Sequence, residues 1–198
     1  FVVRLFSNLS TENSIELIYN LGRIVQLYLF QDKNHDAKEY FDRCKYLIDS
    51  LNYPSNKKLF DSYIICTLYY NMLSETDKAL KYLYIAENIL KSEYNLVHYK
   101  YCSLNYHYAR ILLNLGKLDK AIIFFERSLR MAQMSDILND YLFLNYRHLG
   151  ILYYSNKNYS RSIEYNLKAL KESKNSGFSP VYTYLYLGRC NYALNNLL

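Results

Sequence analysis

The sequence predicts an all-α protein built from antiparallel helix pairs, and two observations carry this prediction. The 198 residues include only 5 Gly and 2 Pro, too few turn signals for a β-sandwich or β-barrel. Small residues recur at a constant interval at Ala37, Ala79, Ala121 and Ser162, with spacings of 42, 42 and 41. Self-similarity at a fixed interval of this kind is typical of a stack of repeated helical units.

Two further ladders of small residues accompany the first. One set stands seven residues after the members of the first ladder, and the other stands twelve residues before them. The later set is Cys44, Ala86, Ser128 and Ala169, and the earlier set is Val25, Thr67, Ala109 and Gly150, continuing to Gly188. Where two helices cross closely, one of them must present a small side chain. Three small positions per unit therefore indicate two helices per unit.

Caps, breakers and apolar periodicity place these helices along the chain. First helices are predicted near 13–31, 57–73, 96–115, 138–155 and 180–195, and second helices near 35–51, 76–93, 118–134 and 159–175. Gly116 closes one helix, and Ser179 caps another that has Pro180 in its first turn. In the first unit Gly22 competes with Val25 for the crossing position. We prefer Val25 because it preserves the 42-residue interval.

Bulky side chains fill the sites that the small ones leave. An aromatic residue follows three positions after the first small residue of every second helix, at Tyr40, Tyr82, Phe124 and Tyr165. No interior linker interrupts the pattern, so we expect residues 1–198 to form a single repeat domain. Residues 1–9 read as the end of a preceding helix, which suggests a fragment of a longer chain. The final first helix lacks its partner, so either another helix follows or this one caps the array.

The pattern resembles tetratricopeptide repeats, which place a Gly or Ala and an aromatic residue on the first helix and two Ala residues seven apart on the second. The resemblance covers about residues 13–195 and implies a right-handed α–α superhelix, a solenoid with a concave binding face. The usual period is 34 residues, and the longer one here adds about two turns per unit. Such long units resemble those of the bacterial peptide-pheromone receptors of the Rap, PlcR and Rgg type, and those of kinesin light chains and related scaffolds.

Charge and composition argue against nucleic acid and membrane as partners. The 24 Lys and Arg outnumber the 18 Asp and Glu by six, but they are spread along the chain without a basic run. A nucleic-acid-binding module would cluster its cations. Most of the 25 Tyr are explained by packing, which weighs against a stacking platform for single strands. No apolar run reaches the roughly 18 residues that a membrane span needs.

The chain shows no signature of an enzyme, a cofactor site or a metal centre. It lacks a Gly-rich phosphate loop, a nucleophile elbow and a pair of His residues at ligand spacing. The cysteines stand alone in helical sequence, at Cys44, Cys66, Cys102 and Cys190. We expect them to be free buried thiols in a reducing compartment, which predicts a cytoplasmic protein.

Two histidines occupy the same position in successive units. His107 and His148 lie 41 residues apart, so they should point the same way from neighbouring first helices. Helix axes about 8–10 Å apart place the two rings too far from each other to share a zinc ion at ~2 Å from each. We prefer polar residues facing a groove, and buried hydrogen-bonded histidines remain the alternative.

The first helices should line the concave face of the solenoid, where a peptide or a helix can bind. The residues of the first helices that are not assigned to buried positions include four Arg and two His but one Asp. The groove is therefore predicted to be positively charged. Arg110, Arg147 and Arg189, one per unit, are candidate anchors for carboxylates, because the planar guanidinium binds a carboxylate at two points.

The other candidate peptide-binding residues would hold the rest of the ligand. Asn71 and Asn114 would bind peptide main chain, and Tyr106, Tyr154 and Tyr186 would form side-chain pockets, with His107 and His148 beside them. The ligand would be a short peptide or protein tail, acidic or ending in a free carboxylate. The alternative is that these Arg residues are solvated and paired with acids elsewhere, where exposed pairs contribute only ~0–1 kcal/mol.

Two functions follow from this interpretation. The resemblance to pheromone receptors implies the peptide-sensing, C-terminal part of a bacterial transcriptional regulator in quorum sensing, with its DNA-binding or regulator-binding module before Phe1. The alternative is a constitutive scaffold that holds a partner without a switch. An enzyme is a distant third, and a homodimer is left open.

Overall fold

The computed structural model describes residues 10–31, 33–93, 99–135 and 139–195, and every regular element within them is helical. The chain folds into two compact units, Phe1–Leu96 and Val97–Leu198. The predicted helix end at residues 1–9 lies outside the described residues.

The first unit contains two helix pairs. Its elements are α1 (Thr11–Phe30), α2 (Asn34–Ser50), a 3-10 turn (Lys57–Leu59), α3 (Phe60–Met72) and α4 (Thr76–Glu93). The second unit contains two more pairs and a further first helix. Its elements are α5 (Lys100–Asn114), α6 (Leu118–Gln133), α7 (Asn139–Ser155), α8 (Tyr159–Glu172) and α9 (Val181–Asn195). The all-α class and the predicted order of helices are confirmed.

The ladder of small residues forms the contact between the two helices of each pair. Ala37, Ala79, Ala121 and Ser162 are all 0% exposed. In the second unit the Ser162 hydroxyl on α8 donates a hydrogen bond to the Gly150 carbonyl oxygen on α7, with an O–O distance of 2.7 Å. A carbonyl within reach of a partner's side chain requires a close helix crossing, which is what the small residues allow.

Both candidates for the crossing position of α1 are buried, for different reasons. Val25 is inaccessible to solvent. Gly22 lies against Ser62 of α3, and a Cβ atom built at Gly22 would lie 3.0 Å from the Ser62 Oγ and 3.4 Å from its Cα. Gly22 therefore marks a close approach between two first helices.

The turns inside the helix pairs repeat at the same interval as the ladder. Ser74, Gly116 and Lys157 have positive φ angles of 59°, 69° and 58°, and each follows the end of a first helix. After each of them the next backbone N–H bonds back to a carbonyl five residues earlier, as in Lys117 to Leu112 at 2.9 Å. This left-handed C-cap closes the helix and reverses the chain. Of these three C-caps, the sequence analysis predicted the one at Gly116.

The four cysteines are buried and free of disulfide bonds, as predicted. Within the described part of the chain, no three His, Cys, Asp or Glu side chains come together in a way that could hold a metal ion. None of the described helices is long and apolar enough to cross a bilayer.

Gly150 and Gly188 occupy the same register position and provide a matched test of the crossing. A Cβ atom at Gly150 would lie 2.5 Å from the buried Asn166 Nδ2, whereas one at Gly188 meets nothing within 4 Å. We expect Gly150→Ala to lower the free energy of unfolding by about 1–3 kcal/mol, because Asn166 must leave its site. Gly188→Ala should raise it by up to about 1 kcal/mol through helix propensity alone. Urea denaturation of both variants measures the difference, and equal effects would contradict the predicted crossing.

Candidate functional site

The first helices of the second unit lie side by side, and their side chains contact one another directly. Tyr141 at the start of α7 donates a hydrogen bond from its hydroxyl to the Ser103 Oγ on α5, at 2.7 Å. Further along, the rings of Tyr154 on α7 and Tyr186 on α9 meet edge to face with centroids 5.3 Å apart. These contacts bring the predicted site residues of α5, α7 and α9 into one row.

Each of the three predicted anchors lies over an aromatic ring of its own helix. The guanidinium carbon of Arg110 is 6.0 Å from the Tyr106 ring centroid, and that of Arg189 is 5.3 Å from the Tyr186 centroid. The guanidinium carbon of Arg147 is 5.5 Å from the Phe143 centroid. A cation over an aromatic face gains about 0.5–2 kcal/mol. The rings therefore hold the guanidinium groups in place along the row.

Arg147 is partly buried, like Arg110, whereas Arg189 is exposed. The Arg147 Nε atom is inaccessible to solvent and has no hydrogen-bond partner among the described residues. Burial lowers the pKa of the Arg147 guanidinium, and the nearby charge of Arg110 lowers it further, while Tyr106 and Tyr182 act in the opposite direction. Removing a cation from water is costly unless an anion or acceptors replace the lost hydration.

The ion pairs of the described residues lie elsewhere. They join Lys, Arg or His to acids mainly within α2, α4 and α8, and none of them involves Arg110, Arg147 or Arg189. Among the described residues, these three Arg residues are therefore not paired with protein carboxylates, as the alternative had supposed. The row carries positive charge that is not balanced by a neighbouring acid in this part of the structure.

The two histidines do not both face the groove. His107 is only 6% exposed, and burial together with Arg110 lowers the pKa of its imidazole to about 3. The buried residues of α5 lie on more than one side of the helix, because other helices cover it from two directions. The preferred interpretation, in which His107 is a polar residue facing a groove, is therefore wrong, and His107 is buried.

His148 takes part in a contact between helices. Its Nε2 lies 3.1 Å from the Tyr106 hydroxyl oxygen, and its ring stacks on Phe125 of α6 at a centroid distance of 4.8 Å. Burial and the charge of Arg147 lower the pKa of His148 well below its usual value. Tyr106 is itself buried, so it forms part of the floor of the row and not an open pocket.

The remaining predicted residues are placed less uniformly. Asn71 lies on α3 in the first unit and is only 3% exposed, so the expectation that it binds peptide main chain from the surface is wrong. Asn114 is exposed at the C-terminal end of α5, and Tyr154 and Tyr186 are half-buried. Of these predicted residues, Asn114, Tyr154 and Tyr186 therefore reach the surface of the second unit, and Asn71 does not.

A cavity of about 650 Å³ opens beside α9. It is lined by the predicted binding residues Tyr154 and Arg189 and by others outside the predicted site: Tyr159, Tyr184, Leu185, Gly188, Tyr192 and Ala193. Sequence reasoning missed Tyr184 because it stands at the register position of Tyr146, a packing residue of the preceding first helix. The repeat register alone does not say whether such a position is covered.

A second cavity of about 440 Å³ lies in the first unit among α2, α3 and α4. Its charged residues are already paired: Lys38 with Asp42 at 2.6 Å, and Lys45 with Asp49. Lys78 pairs with Glu75 in the same way. Because these charges balance within the wall, we do not include this cavity in the candidate site.

The buried imidazole of His107 predicts a pH-dependent stability. In the unfolded chain a histidine takes up a proton near pH 6.5, whereas the folded state resists protonation down to a pKa of about 3. Stability is therefore complete above about pH 7 and decreases as the pH falls. We expect the burial of His107 to lower the free energy of unfolding by about 2 kcal/mol when the pH falls from 7 to 5. Urea denaturation at both pH values measures the loss, and His107→Gln should remove that share of it; an unchanged loss in the variant would contradict the assignment.

Comparison with known proteins supports the fold. The family model of the tetratricopeptide repeat matches residues 103–133. A comparison with curated protein sequences found no match.

Solved structures match over most of the chain. BtubC (BKLC) from P. vanneervenii is 20% identical with a TM-score of 0.66, over 94% of this chain and 80% of that one. A Podosopora anserina protein of nearly identical TPR-like repeats, assigned to the kinesin light chains, is 12% identical with a TM-score of 0.62, over 89% and 86%.

A third structure is the Rap conjugation gene regulator of the plasmid pLS20 in complex with the Phr peptide. It is 17% identical with a TM-score of 0.57, over 89% of this chain and 59% of that one. At these identities the likeness concerns the fold. The chain therefore carries a tetratricopeptide repeat at residues 103–133 and has the fold of tetratricopeptide-repeat proteins.

Proposed function

We propose that the second unit binds a short acidic peptide or protein tail along the row formed by α5, α7 and α9. Arg110, Arg147 and Arg189 are the anchors for its carboxylates. The observation that carries this proposal is Arg147, whose Nε is buried without a hydrogen-bond partner among the described residues. A carboxylate placed beside it would supply the missing acceptor, and charge-assisted bonds of this kind are stronger than neutral ones.

The other side chains of the row suit the rest of such a ligand. Tyr154 and Tyr186 offer apolar surface with a polar end, and Asn114 can donate to and accept from a peptide backbone. Tyr106, which is hydrogen-bonded to His148, lies under the guanidinium group of Arg110. The Rap regulator, with which this chain shares its fold, was solved with a peptide, which supports a peptide as the ligand here.

We further propose that the chain is the peptide-sensing part of a cytoplasmic bacterial transcriptional regulator. In such a regulator the ligand favours one arrangement of the helix pairs over another, and it shifts the population only through that difference in affinity. The similarity to the Podosopora anserina repeats favours a second candidate, a constitutive scaffold that binds its partner without changing shape.

Replacement of Arg147 should change peptide affinity and protein stability in opposite directions. We expect Arg147→Met to reduce the affinity for short peptides ending in Asp or Glu by about tenfold or more. The same variant should unfold at a higher temperature, because it removes a buried cation that lacks an acceptor among the described residues. Calorimetry and thermal denaturation measure the two effects.

Two controls define this experiment. Arg130→Gln changes an exposed Arg on α6, outside the row, and should leave both quantities unaltered. Peptides with an amidated C-terminus distinguish a terminal carboxylate from an acidic side chain as the bound group. Unchanged peptide affinity of Arg147→Met would refute the anchor assignment.

The sensor and the scaffold differ in their response to ligand. We expect the radius of gyration from small-angle scattering to change when a bound peptide saturates the chain, because a sensor must prefer one curvature. A chain that binds the peptide in calorimetry with an unaltered scattering profile would instead be a scaffold.

A further inference from the structure

Two cations on neighbouring first helices share one tyrosine. The guanidinium carbon of Arg110 on α5 lies 6.0 Å from the ring centroid of Tyr106 on the same helix. Burial raises the pKa of the Tyr106 hydroxyl, and the charges of Arg110 and of Arg147 on α7 both lower it. Because the effect of a charge weakens with distance, both guanidinium groups lie near this hydroxyl. We call Arg110 and Arg147 the arginine pair.

The two members of the arginine pair repel each other. Burial lowers the pKa of the Arg147 guanidinium, and the charge of Arg110 lowers it further, whereas Tyr106 and Tyr182 raise it. None of the ion pairs among the described residues includes Arg110 or Arg147. Two like charges held together without an acid favour a bound anion, because the anion removes the repulsion and replaces lost hydration.

The floor beneath the arginine pair carries no charge. It is formed by α5, α6 and α7, which pack against one another. The Tyr106 hydroxyl oxygen lies 3.1 Å from the His148 Nε2, and the His148 ring stacks on Phe125 with centroids 4.8 Å apart. Burial, together with the charges of the arginine pair, lowers the pKa of His148 well below its usual value, so the imidazole is neutral. The ligand must therefore balance two positive charges and not three.

A phosphate group matches the arginine pair better than a carboxylate does. A carboxylate has a single charge and two oxygens, and one guanidinium group can bind both of those oxygens. A phosphate monoester carries about −1.5 to −2 charges at pH 7 and has three acceptor oxygens. It can therefore accept hydrogen bonds from both planar guanidinium groups at once and balance both charges.

We propose that the arginine pair binds the phosphate group of a phosphorylated peptide. The inference rests on the proposed function, because the phosphorylated side chain belongs to the peptide that binds along the row of α5, α7 and α9. Arg189 remains an anchor for a carboxylate of that peptide. The arginine pair thereby makes the row selective for a phosphorylated peptide over an unmodified peptide whose acids are Asp and Glu.

Pools of short random peptides provide the probe. The pools differ only at a fixed central residue, which is phosphoserine, Glu or Ser. Equilibrium dialysis against the 198-residue chain measures how tightly each pool binds. We expect the phosphoserine pool to bind about tenfold more tightly than the Glu pool, because the phosphate meets both arginines. The Ser pool should bind most weakly.

Substitution of either arginine should remove this selectivity. We expect Arg110→Gln and Arg147→Gln each to weaken binding of the phosphoserine pool about tenfold, to the level of the Glu pool. Arg110→Lys keeps the charge but loses the planar guanidinium, so it should weaken the same pool less than Arg110→Gln does. Arg130→Gln changes an exposed Arg of α6 outside the row and is the matched control, which should leave both affinities unaltered. Circular dichroism checks that each variant stays folded.

The outcomes separate this inference from the proposed function. Equal affinity for the phosphoserine and Glu pools, with binding that still depends on Arg147, would overturn the inference and leave the proposed function in place. Selectivity for phosphoserine that survives both Gln variants would also overturn the inference. No binding of any pool would overturn both. Inorganic phosphate that binds as tightly as the phosphoserine pool would mean that the arginine pair takes free phosphate and not the phosphate of a peptide.

Discussion

The close crossing between the two helices of each pair is the constraint on which the rest of the structure depends. At that crossing the second helices present alanine or serine, at Ala37, Ala79, Ala121 and Ser162, and all four are 0% exposed. Polar contacts reinforce the geometry in the second unit. The Ser128 hydroxyl donates to the Cys102 carbonyl oxygen at 2.9 Å, and Asn145 donates to the same Ser128 oxygen. Backbone and side chain are thus bound across helices that apolar packing alone would leave free to slide.

This crossing also determines where binding groups can lie. Because each second helix covers one side of its partner, the first helices of the second unit are left adjacent to one another, as the contact between Tyr141 and Ser103 shows. Side chains at the remaining positions lie between neighbouring first helices. That placement buries His107 and much of Arg147, groups whose charged forms prefer water. A chain selected for stability alone would gain by replacing them with apolar residues. The proposed ligand would account for the retention of Arg147.

The proposed row of α5, α7 and α9 uses charge that the described residues leave unbalanced, and its ligand contributes carboxylates. Arg189 and Tyr154 of this row also line the cavity beside α9.

The sequence by itself determined the class of fold, the order of the helices and the positions of their crossings. Those features depend on residue size at fixed intervals, and size can be read from any single position: Ala121 and Gly150 are small whatever surrounds them. How deeply each residue is buried was decided only by the tertiary structure. The sequence placed His107 and Asn71 on the groove, but helices packed from two sides bury both. It also treated Gly150 and Gly188 alike, although one lies against Asn166 and the other faces open space. The reason is physical, because burial depends on which neighbours arrive from distant parts of the chain, whereas periodicity records only the helix on which a residue stands.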